Sequence, residues 1–81
     1  MLAKDEKKYT NDLKEIMMDE KTDGLLRLRA AIAFVESLRK NHYDRKEILG
    51  LFDFNKLIPL IDSQKEYFDS KDLQQLTSLL G

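Results

Sequence analysis

His42 is the first candidate for chemistry, because imidazole is the side chain whose ordinary titration falls near neutral pH. The chain has no cysteine and no second histidine. A zinc site at His42 would therefore need three carboxylates, an unusual donor set for that ion. Its place just after a basic helix end reads instead as a solvated helix-end residue. Carboxylates such as Asp19, Glu20 and Asp62 are plentiful. None sits in an apolar setting that would raise its pKa for acid–base work. Ser37, Ser63, Ser70 and Ser78 lie in no nucleophile elbow, and the chain has no glycine-rich phosphate loop. These residue types and spacings predict no catalysis, no metal and no cofactor.

The remaining chemistry is that of contact. Between Arg27 and Lys46 the cations Arg27, Arg29, Arg39, Lys40, Arg45 and Lys46 stand against only Glu36 and Asp44. One reading is a solvated helix face turned to acidic neighbours. The other is a basic patch for an acidic partner or the inner face of an anionic membrane, with Arg39, Lys40, Arg45 and Lys46 as the contact residues. Phe52 and Phe54 are two apart and cannot share one side of a regular helix. One of them, or Tyr67, is expected to be exposed beside a helix break. Phe54 and Tyr67 are therefore candidate contact residues as well. Met17-Met18 reads as core filling, with an adaptable binding surface as the alternative.

The bounds on the whole chain agree with a binding role. Eighty-one residues allow one domain, 1–81, with one modest core. Fourteen basic and 15 acidic residues leave a net charge of −1, which removes the bulk electrostatic case for nucleic acid. No apolar run approaches the ~18 residues of a membrane span. The opening MLAKDEKKYTNDL has no apolar core of a secretory signal. With no cysteine, a reducing, cytoplasmic setting is expected, with at most peripheral membrane contact.

The elements that position these residues read as helices. Gly and Pro are scarce, at 3 and 1, which points to an all-α chain. Leu25, Leu28, Ala31, Ile32, Val35 and Leu38 recur at helical steps, and Leu26, Ala30, Ala33 and Phe34 widen the stripe. This central helix is expected to be touched on more than one side. Before it, a helix is predicted over about 4–20. Gly24 is placed to end it, and Thr22 or Asp23 to cap the next. Tyr43-Asp44-Arg45-Lys46-Glu47-Ile48 and Phe68-Asp69-Ser70-Lys71-Asp72-Leu73 each read as a capped start with a hydrophobic staple.

A third helix is predicted over about 44–63, either kinked at Pro59 or broken near Asp53–Asn55 and restarted, since Gly50 and Asp53 lower helix propensity there. A link over 64–68 leads to a last helix over about 70–80. Together these predict an antiparallel four-helix bundle. The expected core is Leu13, Ile16, Met17, Leu28, Ile32, Val35, Leu38, Ile48, Leu51, Phe52, Leu57, Ile61, Leu73, Leu76 and Leu79.

In its layout the chain resembles the immunity proteins of class IIa (pediocin-like) bacteriocins, of the enterocin A immunity type. The resemblance covers roughly residues 9–80. It rests on Leu13-Lys14-Glu15-Ile16-Met17-Met18-Asp19-Glu20, the helix Leu28–Lys40, the capped start Tyr43–Ile48, and Phe68-Asp69-Ser70-Lys71-Asp72-Leu73-Gln74-Gln75-Leu76. It implies a small cytosolic bundle without a catalytic motif. The implied role is protection of a bacteriocin producer. The implied partner is a protein, a membrane sugar-permease receptor with bacteriocin bound, met at the membrane's inner face. A regulatory or phage-type helical adaptor is the alternative reading.

Overall fold

The computed structural model describes residues 3–80. The chain is all-α, with five α-helices and two short 3-10 turns, and no strand among the described residues. The elements are α1 (Lys4–Met18), α2 (Gly24–Lys40), α3 (Arg45–Leu51), a 3-10 turn (Phe54–Leu57), α4 (Ile58–Gln64), a second 3-10 turn (Lys65–Tyr67) and α5 (Ser70–Leu80).

The central position of α2 follows from its broad stripe. It alone buries Leu28, Ala30, Ala31, Ile32, Phe34, Val35 and Leu38, and it packs on α1, α4 and α5. Two hydrogen bonds fix its relation to α1. Arg27 Nε donates to the Met17 carbonyl at 3.1 Å, and Asn41 Nδ2 donates to Glu6 Oε2 at 2.7 Å. The end of each helix thus lies beside the start of the other. Toward α5 the register differs. Gln75 Nε2 donates to Glu36 Oε1 at 3.1 Å, and Arg39 Nη2 reaches Ser78 Oγ at 3.5 Å. Both pairs advance together along the sequence, so α2 and α5 run in the same sense.

The turn between α1 and α2 departs from expectation. α1 stops at Met18, and the Asp19 carboxylate accepts from Lys21 N at 3.0 Å and Thr22 Oγ1 at 2.9 Å. Gly24 does not end α1; it is the first residue of α2. Neither Thr22 nor Asp23 caps α2 with its side chain. Asp23 contributes only its carbonyl, to Arg27 N. A Cβ on Gly24 would stand 2.9 Å from Leu60 Cδ2, so α4 closes over the start of α2.

The expected third helix is divided. α3 opens with the full capping box: Asp44 Oδ1 accepts from Glu47 N at 2.8 Å, and Asp44 N donates to Glu47 Oε1 at 3.2 Å. It ends at Leu51, and Phe52 is fully extended. The Asp53 carboxylate then accepts from Asn55 N and starts the 3-10 turn. Pro59 falls in the first turn of α4, where a missing N–H leaves no carbonyl unserved. The break therefore precedes the proline, at Phe52–Asp53.

That break rearranges the core. Extended Phe52 and the turn residue Phe54 both point inward, 8 % and 2 % exposed. Their rings meet edge to face at 5.2 Å, and Phe54 packs on Phe34 at 6.3 Å. Leu51, expected inside, is 40 % exposed, because the chain turns there and Phe52 takes the buried place. Met17, Leu28, Ile32, Val35, Leu38, Ile48, Phe52, Leu57, Leu76 and Leu79 are buried as expected. Leu13, Ile16 and Ile61 pack against them half-buried, and Leu73 is half-buried too.

Candidate partner-binding surfaces

Because α2 and α5 run in the same sense, their carboxyl-terminal ends gather at one end of the molecule. Each such end carries partial negative charge and unserved carbonyls. The basic segment meets that need. Arg45 Nε donates to the Ser78 carbonyl at 3.3 Å, and its Nη2 to the Leu79 carbonyl at 3.0 Å. Arg39 reaches Ser78 Oγ from the last turn of α2. The structure thus brings two of the four candidate cations together, and both serve the end of α5. Lys40 and Lys46 are exposed on the same segment. Lys40 stands beside a surface dip lined by Glu6, Tyr9 and Glu36.

His42 lies at this end too. It is exposed and has φ 68°, the left-handed region. His42 N donates to the Arg39 carbonyl and Tyr43 N to the Leu38 carbonyl, each at 3.0 Å. This is the Schellman termination of a helix, with histidine where glycine is usual. The expectation of a helix-end residue thus acquires a backbone role.

The two aromatic candidates part company. Phe54 is a core residue, not a contact residue, since the helix break turns it inward. Tyr67 is 67 % exposed, at the end of the second 3-10 turn. It borders a groove of about 420 Å³ between α2 and the start of α5, with Arg29, Glu36, Asp69 and Asp72 on its walls. Asp72 sits in the first turn of α5, where a carboxylate offsets the positive end of the helix.

A further surface was not singled out by residue type. Between α1 and α3 runs a narrow crevice of about 190 Å³. Phe34 and Leu38 of α2 form its floor, and Tyr43 and Leu51 one wall. Lys7, Thr10, Asn11 and Lys14 form the other. Thr10 is buried, and its hydroxyl donates to the Glu6 and Lys7 carbonyls of its own helix. The spacing of Lys7, Asn11 and Lys14 did mark one helical face. The apolar opposite wall depended on the early end of α3.

Asp19 is the one described carboxylate held clearly below its ordinary pKa. The Lys21 N–H is the main cause, the Thr22 hydroxyl the next, and Arg27 adds a smaller attraction. These stabilise the turn, and Arg27 also lines a surface dip with Met18, Glu20 and Lys56. Among the described residues no group of His, Asp and Glu gathers as a metal site, and no helix is long and apolar enough to cross a membrane. No family model, curated protein or solved structure matches the chain.

Proposed function

We propose that the protein is a bacteriocin immunity protein of the pediocin-like class. It acts in the cytoplasm and engages a bacteriocin–receptor complex, with a sugar permease as receptor, at the membrane's inner face. The observation that carries this reading is the agreement between the segments behind the resemblance and the helices. The capping box at Asp44–Glu47 forms, α2 spans the long central stripe, and α5 begins at Ser70. The proposed architecture is an antiparallel four-helix bundle, with α3 and α4 together as its third leg. The shared direction of α2 and α5 supports it, because the second and fourth legs of an up–down bundle run alike.

A protein inside the membrane meets only what the peptide locks or exposes there. Affinity is therefore expected with bacteriocin and receptor together, not with free peptide, which is a coupling between two ligands. Lys40 and Lys46 are the proposed contact cations, since Arg39 and Arg45 serve the end of α5. Reversal of their charge should weaken association and flatten its salt dependence. The test is expression in a sensitive strain challenged with a panel of pediocin-like peptides. Protection against at least one, without change toward unrelated pore formers, supports the reading. A folded, well-expressed chain that protects against none overturns it. The second reading, a helical adaptor for another protein, is favoured by one observation: exposed Leu51 beside the α1–α3 crevice.

A further inference from the structure

The crevice between α1 and α3 has three properties that belong together. Its floor and one wall are apolar, from Phe34, Leu38, Tyr43 and Leu51. Leu51 is 40 % exposed on that wall, whereas its helical stripe would have placed it inside. Among the described residues, the only charged ones that line the crevice are Lys7 and Lys14, and no carboxylate does. This is a local excess of positive charge on a chain whose net charge is −1.

At about 190 Å³ the crevice lies below the ~300–1,000 Å³ usual for small-molecule sites. It admits apolar side chains from something laid across its mouth. Lys7, Asn11 and Lys14 follow one another at helical steps along α1, so the two ammonium groups stem from positions about 10 Å apart along the axis. A second helix laid alongside matches that interval with carboxylates seven residues apart. Its residues three and four after the first carboxylate then face the crevice.

We infer that the α1–α3 crevice is a docking groove for an acidic amphipathic helix of a partner protein. The partner's apolar side chains pack on Leu51, Tyr43 and the Phe34–Leu38 floor. Its carboxylates pair with Lys7 and Lys14. This is the helix-in-groove mode of recognition, in which apolar anchors give affinity and flanking charges give register and specificity. A lipid acyl chain would also find an apolar floor. A single headgroup, however, would use one lysine and leave the spacing of the pair without a purpose. The inference holds for an immunity protein and for an adaptor alike.

The probe is a synthetic helix of three repeats of Glu-Ala-Ala-Leu-Leu-Ala-Gln, added to the isotope-labelled full chain and followed by amide chemical shifts. Its partner probe carries Lys in place of each Glu. The expected result is saturable shifts at Lys7, Asn11, Lys14, Tyr43 and Leu51 with the acidic peptide alone. In Lys7→Glu/Lys14→Glu its affinity should fall at least about tenfold, the factor that corresponds to about 1.4 kcal/mol. The Lys-bearing peptide should then bind. Lys7→Gln/Lys14→Gln serves if the reversed pair does not fold, with the same loss and no gain for the Lys-bearing peptide. Leu51→Ser should weaken binding without unfolding the chain.

Equal binding of both peptides to the unaltered chain, shifts centred elsewhere, or no shift at about 1 mM peptide overturns the inference. Binding of anionic phosphatidylglycerol vesicles that the lysine variants abolish, with the peptide inert, also overturns it and makes the occupant a lipid.

Discussion

His42 offers the sharpest test of the backbone reading. It holds φ 68° at the position where the Schellman turn ends α2, and its side chain is exposed. The left-handed conformation costs an L-residue about 1–2 kcal/mol, a cost glycine escapes. Glycine in turn loses about 0.5–1 kcal/mol through the greater freedom of its unfolded chain. His42→Gly should therefore stabilise the protein by about 0.5–1 kcal/mol. In a domain of this size that raises Tm by about 2–8 °C. His42→Ala keeps the strained φ and should stay near the parent. The assay is thermal and urea unfolding of the three proteins, with an unchanged urea slope as the sign that only stability has moved. If His42→Gly is neutral or destabilising while the slope holds, the Schellman turn is not what fixes this residue.

The remaining predictions concern core, proline and pH. Phe54→Ala should cost about 3–5 kcal/mol in urea unfolding, whereas Tyr67→Ala should stay within about 0.5 kcal/mol; similar losses would contradict the inward turn of Phe54. Pro59→Ala should be neutral or destabilise by up to about 1 kcal/mol, because the proline occupies a tolerant first turn and restricts the unfolded chain. A gain above about 2 kcal/mol would show strain there. The lowered pKa of Asp19 gives stability that is present above its unfolded pKa and lost as pH falls through its folded pKa. Asp19→Asn should thus be less stable than the parent at neutral pH, and the two should converge in acid. A gap that persists in strong acid would place the effect outside ionisation.

Much of this fold is legible because helix grammar is local. The stripe of α2 and the box at Asp44–Glu47 are each set by residues within a few positions of one another, and both form, except that Leu26, read as widening the stripe, is 51 % exposed. The contacts of Phe52, Phe54 and Leu51 are not local. Their placement depends on where α3 stops, and a stripe that resumes on both sides of Pro59 does not mark that point. Asp53, which accepts from Asn55 N, does mark it, as the start of the 3-10 turn. Likewise a run of cations gives no hint that two helices end at its door. The shared direction of α2 and α5 decides that Arg39 and Arg45 face α5, and direction is a property of the assembled chain.

The way α3 is held has a consequence for motion. This helix gives the core one fully buried side chain, Ile48, and half-buried Leu49, and is otherwise tied by the Arg45 guanidinium and by Tyr43 before its cap. Opening free energy scales with what must be unmade, so α3 should detach below the cost of global unfolding. Its amides should exchange with solvent sooner than those of α2, and each opening bares Phe34 and Leu38. A ligand seated against both α1 and α3 would restrain that excursion and slow the exchange. The molecule then answers its partner through the lifetime of one short helix, with the rest of the fold unchanged.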